Sequence, residues 1–418
     1  MLSISHLVAA LVDILTQFKP KIETRDGHKR VVCAGDASIG FDVLSWHFVR
    51  RDMNNDRSDT RVFNFYSGPS VLPVEVLERA KAELLSFDGR GASIMEISHR
   101  SDEFLSVLAS AESRLRSLLS LTEDYKVLFL QGGATLQFSM VPMNFLGAGT
   151  SADYVITGTW SRKAFKTARE FGKANAFELP TPGPSRVPTP DELTFSENAR
   201  YIHYVSNETI DGVEFSYDID GFGIPVICDA SSNILSRPIE LEKYAMIYAG
   251  AQKNIGPSGV TVAIIRNDLL EASRGRQSGV LSYSTFADCG SMPNTPNTWG
   301  IYIIDLICEW LQERGGVEAA AVRNAEKAGL LYETIDNSDG FYSGTAERSA
   351  RSKMNVTFRL PSEELESEFC GEAEKDGMIG LRGHRSVGGI RASIYNAFPL
   401  EGVERLVEHM NDFSRRKG

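Results

Sequence analysis

The sequence has few cysteines, no excess of positive charge and no long apolar run, and each shortage excludes a class of protein. Its cysteines never form a CxxC pair, which argues against a metal site or a disulfide framework and favours a reducing compartment. A formal net charge of −11 argues against binding to nucleic acid or to an anionic membrane, since both need a positive field. No stretch approaches the roughly 18 uninterrupted apolar residues of a spanning helix. A small metabolite is therefore the expected partner.

The first 61 residues have the character of an extension to a folded core. Met1–Phe18 has the pattern of a short amphipathic or apolar helix, but Asp13 interrupts it and no basic stretch precedes it, so a secretory signal is not indicated. Acidic residues recur from Glu23 to Asp59, whereas transit peptides are usually poor in acid. We predict an ill-ordered extension and a cytoplasmic protein, with organelle import through this segment as the alternative.

After Arg61, short β-rich runs alternate with longer helical patterns, which is typical of α/β units. Most strand candidates are nearly continuous apolar runs, as expected for strands covered on both faces. These candidates are 126–130 (KVLFL), 153–157 (DYVIT), 201–205 (YIHYV), 225–228 (PVIC), 246–249 (MIYA) and 260–265 (VTVAII). The prolines of Pro180–Pro190 predict a surface loop between the second and third of them.

The chain length of 418 residues exceeds the size at which one core stops growing, and it favours two domains. A boundary is predicted at Arg314–Gly316, after the apolar helix Ile301–Leu311. Residues 62–315 would form a large α/β domain with a mostly parallel sheet flanked by helices, and its first residues would form an N-terminal arm. Residues 316–418 would form a smaller α+β domain that ends in an amphipathic helix.

Three predicted strands end in polar or glycine-rich turns, and ligands of open α/β sheets bind at such ends. Gly132 and Gly133 follow KVLFL, where the next helix offers free N–H groups to an anion, although a glycine pair is more often only a tight turn. Asp229 follows PVIC, with a helix cap as its other interpretation.

Lys253 follows the third of these strands, MIYA, on the turn GAQKNIGPSG. Most lysines are solvated surface charges. At a partly desolvated strand end, however, a lysine can lose its proton and act as an amine nucleophile toward an aldehyde. A phosphate cradle, an acid and a lysine at strand ends are together the parts of a pyridoxal-phosphate (PLP) site.

From about Phe63 to the C-terminus, a series of motifs in order resembles the phosphoserine aminotransferases, a family of fold-type I PLP enzymes in the class V group. The motifs are FNFYSGPSVLP, MEISHRS, LFLQGGATLQF, NETIDG, CDASSNILSRP, YAGAQKNIGPSG, GSMPNTPNT and GLRGHRSVGGIRASIYNA. The resemblance implies the fold-type I architecture, PLP as cofactor and a homodimer with shared active sites. The segment before Arg61 has no counterpart in the family core.

Positions within these motifs assign the cofactor contacts by resemblance. Lys253 corresponds to the Schiff-base lysine, and Asp229 to the carboxylate that keeps the pyridine nitrogen protonated. Trp160 corresponds to the aromatic side chain that stacks on the ring and completes the catalytic set; without the other residues it would be interpreted as a core residue. The remaining implied contacts are Thr209 to the phenolic oxygen, Ala134, Thr135 and Gln252 to the phosphate, and Asn294 and Thr295 to the phosphate from a partner subunit.

Ala134 and Thr135 stand where the motif is richer in glycine, but their backbone donors are unaffected by that change. Basic side chains are concentrated in ISHRS and GHRSVGGIR, which suits a substrate with a carboxylate and a phosphate, although one arginine alone more often forms a surface salt bridge. By resemblance, Arg391 binds the α-carboxylate. The phosphate, or the distal carboxylate of glutamate, is assigned to His384 and Arg385 with His99 and Arg100 from the partner.

The implied reaction is the reversible transfer of an amino group between O-phospho-L-serine and 2-oxoglutarate, which gives 3-phosphohydroxypyruvate and L-glutamate in L-serine biosynthesis. Ser67, in FNFYSGPSVLP, completes the implied substrate site. One alternative is another class V enzyme, of the alanine–glyoxylate aminotransferase or cysteine desulfurase type, although no cysteine lies in an obvious catalytic loop. A non-catalytic protein that retains the fold is the other, and the intact set of Lys253, Asp229 and Trp160 argues against it.

Overall fold

The computed structural model describes residues 61–179 and 185–418, together with the backbone of two earlier strands. Those strands, β1 (Lys21–Arg25) and β2 (His28–Val32), pair antiparallel as a hairpin. The predicted helix Met1–Phe18 and the start of the proline-rich loop lie outside the described residues. Within the described part of the chain, no helix is long and apolar enough to cross a membrane.

Both strands and helices form along the chain from the end of the extension to a long apolar helix. In order they are β3 (Phe63–Asn64), α1 (Val74–Glu83), α2 (Asp102–Leu118), β4 (Tyr125–Gln131), α3 (Ala134–Phe145), β5 (Ser151–Ile156), α4 (Thr159–Ala168), β6 (Lys173–Glu178), β7 (Ala199–Val205), β8 (Asn207–Glu208), β9 (Val213–Glu214), β10 (Val226–Asp229), β11 (Met246–Gly250), β12 (Val260–Arg266), α5 (Asn267–Ala272), α6 (Tyr283–Asp288) and α7 (Thr298–Glu313).

The main sheet has seven strands in the order β4-β12-β11-β10-β7-β5-β6. Strands β6, β5, β7, β10 and β11 are mutually parallel, and β12 runs antiparallel to both β11 and β4. All six predicted strands lie in this sheet. The seventh, β6, was not predicted because its sequence KANAFE is a half-exposed edge strand without an apolar run.

Helices cover both faces of this sheet. On one face, α2 and α7 bury apolar side chains such as Phe104, Leu115 and Ile304 against the strands. On the other face, α3 and α6 contribute Phe138 and Tyr283 to a second apolar cluster. Burial on both faces explains why the strands are continuous apolar runs. The predicted α/β fold with a mostly parallel sheet flanked by helices is confirmed.

The rest of the chain builds a second, smaller sheet. Its elements are α8 (Gly316–Asp336), β13 (Ser343–Gly344), β14 (Asn355–Arg359), α9 (Glu363–Lys375), β15 (Met378–Ile379), β16 (Ile390–Ser393) and α10 (Leu400–Lys417). Strands β13, β14 and β16 pair antiparallel, and β15 pairs with β3 of the arm. Side chains of α8, α9 and α10 form a core of their own with this sheet.

The turn between α7 and α8 lies where the domain boundary was predicted. Gly315 and Gly316 there have φ values of +86° and +69°, a region in which residues with a side chain are strained. These glycines allow the chain to reverse between two long helices. The division into domains at residue 316 stays a prediction.

Candidate active site

Gly250 lies where three strand ends meet. It ends β11, and a Cβ atom built on it would lie 3.1 Å from the backbone nitrogen of Ala134, the first residue of α3. Its N–H donates to the hydroxyl of Ser231, in the turn after β10, at 3.0 Å. Lys253 follows three residues later. The structure therefore brings the glycine turn after β4, the acid after β10 and the lysine after β11 to one edge of the sheet.

The turn after β4 leaves the start of α3 open. Gly132 has a φ of +90°, and its N–H donates to the carbonyl of Gly259 at 3.2 Å. Gly133 precedes the helix and makes no side-chain cap. The first N–H groups of α3, at half-buried Ala134 and exposed Thr135, thus meet no capping side chain among the described residues. This helix start is suited to a phosphate.

Asp229 is buried at the end of β10. Its Oδ1 atom accepts a hydrogen bond from the backbone N–H of Ser231 at 2.9 Å. Burial raises the pKa of the Asp229 carboxyl, while the hydrogen bonds from Ser231 and the charge of Lys253 act in the opposite direction. The alternative of a helix cap is wrong, because the residues that follow form turns and no helix.

Lys253 lies on the turn after β11 and is tied to the N-terminal arm. Ser70 donates its N–H to the carbonyl of Gln252 at 3.0 Å and its hydroxyl to the carbonyl of Lys253. Burial lowers the pKa of the Lys253 amine; the carboxylates of Asp229 and Glu208 raise it, and the charge of Arg391 lowers it. The amine is therefore easier to deprotonate than an exposed lysine.

Trp160 and Thr209 form the side of the site next to this amine. The Nζ atom of Lys253 lies 5.6 Å from the centre of the Trp160 ring. The indole N–H of Trp160 donates to Oγ1 of Thr209 at 2.9 Å, which leaves the Thr209 hydroxyl hydrogen available to another acceptor. The backbone carbonyl of Thr209 accepts from Nη1 of Arg391 at 3.0 Å, so Thr209 links the aromatic ring to the predicted carboxylate-binding arginine.

Arg391 and His384 line a cavity of about 180 Å³ that also includes Thr357 and Asp211. The Nε atom of Arg391 is buried and has no hydrogen-bond partner among the described residues. Burial lowers the pKa of the Arg391 guanidinium. A buried cationic donor without a partner is costly, and a carboxylate in the cavity would satisfy it.

The other predicted substrate residues of this chain lie on the loop before β16 and on the N-terminal arm. His384 is half-buried, with its Nδ1 atom 2.6 Å from the hydroxyl of Ser386, and Arg385 is exposed beside it. The carbonyl of Ser67 accepts from the Tyr395 hydroxyl at 2.7 Å, on the arm that passes Lys253.

The four residues predicted to act from a partner subunit differ in their position relative to the site of their own chain. His99 is buried and Arg100 is exposed, and no hydrogen bond or ion pair of the described chain joins them to the residues around Lys253. Nε2 of Gln131 donates to Oδ1 of Asn294 at 2.6 Å and to the carbonyl of Thr295 at 3.0 Å. Asn294 and Thr295 therefore lie beside the phosphate cradle of their own chain.

Sequence reasoning missed Ser70, Ser231 and Glu208 as parts of the site. Each lies inside a motif that was recognised, but each acts through a backbone atom of another segment. A side chain that binds a main-chain atom of another segment leaves no signal in a single sequence, because many polar residues near a turn could do the same.

Comparisons with known proteins identify the family of the chain. The family model described as aminotransferase class-V matches residues 62–406. The chain belongs to the class-V aminotransferase family.

Within that family, relatives that are about half identical to this chain are named phosphoserine aminotransferases. A phosphoserine aminotransferase from Chromobacterium violaceum is 51% identical over 361 residues, which is 86% of this chain and 99% of the relative. The solved phosphoserine aminotransferase from Bacillus circulans subsp. alkalophilus is 48% identical, with a TM-score of 0.83, over 86% of this chain and 99% of that one. A PLP-bound phosphoserine aminotransferase from Trichomonas vaginalis is 40% identical, with a TM-score of 0.80, over 84% of this chain and 100% of that one. The predicted resemblance to the phosphoserine aminotransferases is confirmed, and these names favour none of the alternatives.

The charged neighbours of Lys253 predict opposite changes in its pKa when they are replaced. Replacing Asp229 with Asn should lower the pKa of the Lys253 amine in the cofactor-free protein, because a carboxylate that favours the charged form is lost. Replacing Arg391 with Gln should raise it, because a repelling charge is lost. The pKa can be followed by NMR of the ¹³C-dimethylated lysine, with Lys253→Arg to assign the signal. Shifts of the same sign in both variants would contradict this account.

Proposed function

We propose that this protein is a PLP-dependent aminotransferase that transfers an amino group reversibly between O-phospho-L-serine and 2-oxoglutarate, in L-serine biosynthesis. The observation that carries the proposal is the convergence at Gly250 of an open helix start, a buried carboxylate and a lysine with a lowered pKa. The identity of about one half between this chain and phosphoserine aminotransferases supports the choice of substrate.

The residues present fit PLP. The first N–H groups of α3 at Ala134 and Thr135, with Gln252, would hold its phosphate. Asp229 would bind the protonated pyridine nitrogen, and burial of that carboxyl favours a cationic partner. Thr209 has a hydroxyl hydrogen left for the phenolic oxygen. When bound, PLP supplies an electron sink for the pair of electrons released as the Cα proton leaves.

Lys253 has two tasks in this proposal. Because its pKa is lowered, the Lys253 amine would be available to condense with the aldehyde of the cofactor, with release of water. Once a substrate amine had displaced it, the Lys253 amine would act as the base that takes the proton from Cα and delivers it to the C4′ carbon of the cofactor. The ring of Trp160 and the arm at Ser70 hold the lysine on one side of the site.

The cavity at Arg391 supports a dianionic substrate. Arg391, with its buried Nε atom, would bind the α-carboxylate, which every amino-acid substrate carries. His384 and Arg385, on the loop before β16, would bind the phosphate or the distal carboxylate of glutamate, and Ser67 would close the site from the arm. In a homodimer, His99 and Arg100 of one subunit would add positive charge to the site of the other.

The first test uses the visible absorbance of the purified protein after PLP is added. The wild type should show the absorbance band of a covalently bound cofactor, and phosphoserine should bleach it. Lys253→Ala should fold, bind PLP only weakly and transfer no amino group, because both the covalent tether and the base are lost. Lys375→Ala, at an exposed lysine in the last turn of α9, is the matched control. Wild-type turnover in Lys253→Ala would refute the mechanism.

The second test separates the two proposed anion contacts. Arg385→Ala should lower kcat/KM for phosphoserine by roughly ten- to a hundredfold, since a charge-assisted contact is worth about 1.5–3 kcal/mol. Activity with unphosphorylated serine should hardly change. Arg391→Ala should instead weaken phosphoserine, serine and glutamate alike. All of these rates must be measured at one ionic strength, because salt screens these contacts. Equal losses for serine and phosphoserine in Arg385→Ala would refute the phosphate assignment.

The third test concerns the proposed homodimer. Arg100→Ala and Lys253→Ala subunits, each inactive alone, should regain part of the wild-type activity when they are refolded together, because some mixed dimers then hold one intact site. Sedimentation of the wild type should give twice the chain mass. A fully active species at the mass of a single chain would contradict the shared site.

A further inference from the structure

The helix that carries Trp160 begins in an unusual way. Gly158 precedes α4 in extended conformation and offers no side-chain cap. A Cβ atom on Gly158 would lie 2.5 Å from Oδ2 of Asp211 and 2.7 Å from Cγ of Glu208. Because glycine has no side chain, the carboxylates of Asp211 and Glu208 fit against the start of α4.

These carboxylates bind the first N–H groups of α4. Glu208 is fully buried; its Oε2 atom accepts from the N–H of Trp160 at 2.8 Å, and its Oε1 atom accepts from the N–H of Ser161 at 2.7 Å. Oδ2 of Asp211 accepts from the N–H of Thr159 at 3.0 Å. Negative charge at a helix start is favourable, but a single capping side chain usually suffices.

Thr209, the residue after Glu208, binds the far end of the Trp160 side chain. The Thr209 hydroxyl accepts from the indole N–H of Trp160 at 2.9 Å. The dipeptide Glu208–Thr209 therefore binds Trp160 both at its main chain and at the far end of its ring. Two fixed points define the plane of an aromatic side chain that has only two torsion angles.

The surroundings of Glu208 exclude a role as a mobile base. Both carboxylate oxygens are used by main-chain N–H groups, and β8 is fixed by its pairing with β9, in which Glu208 lies opposite Val213. A carboxylate in this arrangement acts by holding other groups in place. The group it holds is the ring that lies 5.6 Å from Lys253.

We infer that Glu208 is a positioning residue of the amino-transfer reaction, which fixes the plane of the Trp160 ring against the bound cofactor by clamping the start of α4. This inference rests on the proposed PLP-dependent function. It assigns to the glutamate of NETIDG a task that is separate from the contact proposed for Thr209.

The test replaces Glu208 with Gln in the PLP-loaded protein. Glutamine keeps the size but turns one acceptor oxygen into an NH₂ group that faces a main-chain N–H, so one of the two clamping bonds is lost. We expect the visible circular dichroism of the bound cofactor to change, because it reports the asymmetry of the ring's surroundings. The dissociation constant of PLP should rise by up to about tenfold, because a Trp160 ring that has lost its orientation stacks less well on the cofactor.

Glu214→Gln is the matched control. Glu214 is also buried and accepts two donors, the N–H of Lys353 at 2.7 Å and Nδ2 of Asn233 at 3.0 Å, but it does not bind Trp160. Both variants should lose thermal stability, whereas only Glu208→Gln should change the dichroism and the PLP affinity. Equal loss of stability with unchanged dichroism in both would show that Glu208 is merely structural and would overturn the inference.

Gly158→Ala provides a second route to the same clamp if Glu208→Gln does not fold. Its methyl group would displace both carboxylates, so the dichroism should change in the same direction as predicted for Glu208→Gln. A Gly158→Ala protein with wild-type dichroism and PLP affinity would overturn the inference. A wild-type protein that does not bind PLP at all would instead refute the proposed function, so the two failures can be told apart.

Discussion

The close approach of α3 to Gly250 is the constraint on which the site depends. The backbone nitrogen of Ala134 lies closer than ordinary van der Waals contact to the place where a side chain would start on Gly250. The N–H of Gly250 also binds the hydroxyl of Ser231, two residues after Asp229. With any side chain at residue 250, the helix start or the strand end would have to move. The phosphate cradle would then shift by a few tenths of an ångström relative to the buried acid and the lysine.

Electrostatics around Lys253 balance two requirements. Burial by itself would make the amine neutral and Asp229 protonated, because a low-polarity environment disfavours both charged forms. Their mutual attraction opposes this, so the pKa of each group is a compromise between burial and its neighbour. Arg391 adds a repelling charge on the substrate side. Asp229 and Lys253 thus each favour the charged form of the other, which limits the effect of burial on both groups.

The second sheet is connected to the lysine turn through a short chain of amides. The backbone N–H of Asn396 donates to Oδ1 of Asn254, the residue after Lys253, at 3.0 Å, and Nδ2 of Asn396 donates to the carbonyl of Leu235 at 2.8 Å. Asn324 of α8 binds the Asn396 side chain at 2.7 Å. Because Arg391 lies on a strand of the same small sheet, these bonds fix the arginine relative to the lysine. The substrate cavity is therefore set by contacts between segments far apart in sequence.

The sequence by itself determined the α/β class, six strands of the main sheet, the turns that carry Asp229 and Lys253, and the family. These features are local: a continuous apolar run predicts a strand buried on both faces, and a polar turn after it predicts a site at the strand end. The edge strand β6 was not predicted, because it is only partly buried and has no continuous apolar run. Only the tertiary structure decided that Gly250 brings α3 against the lysine turn, that Ser70 ties this turn to the arm, and that Glu208 clamps the helix of Trp160. Each of these depends on a backbone atom of a distant segment, and a backbone atom is the same in every residue, so no pattern of side chains along the chain could reveal it.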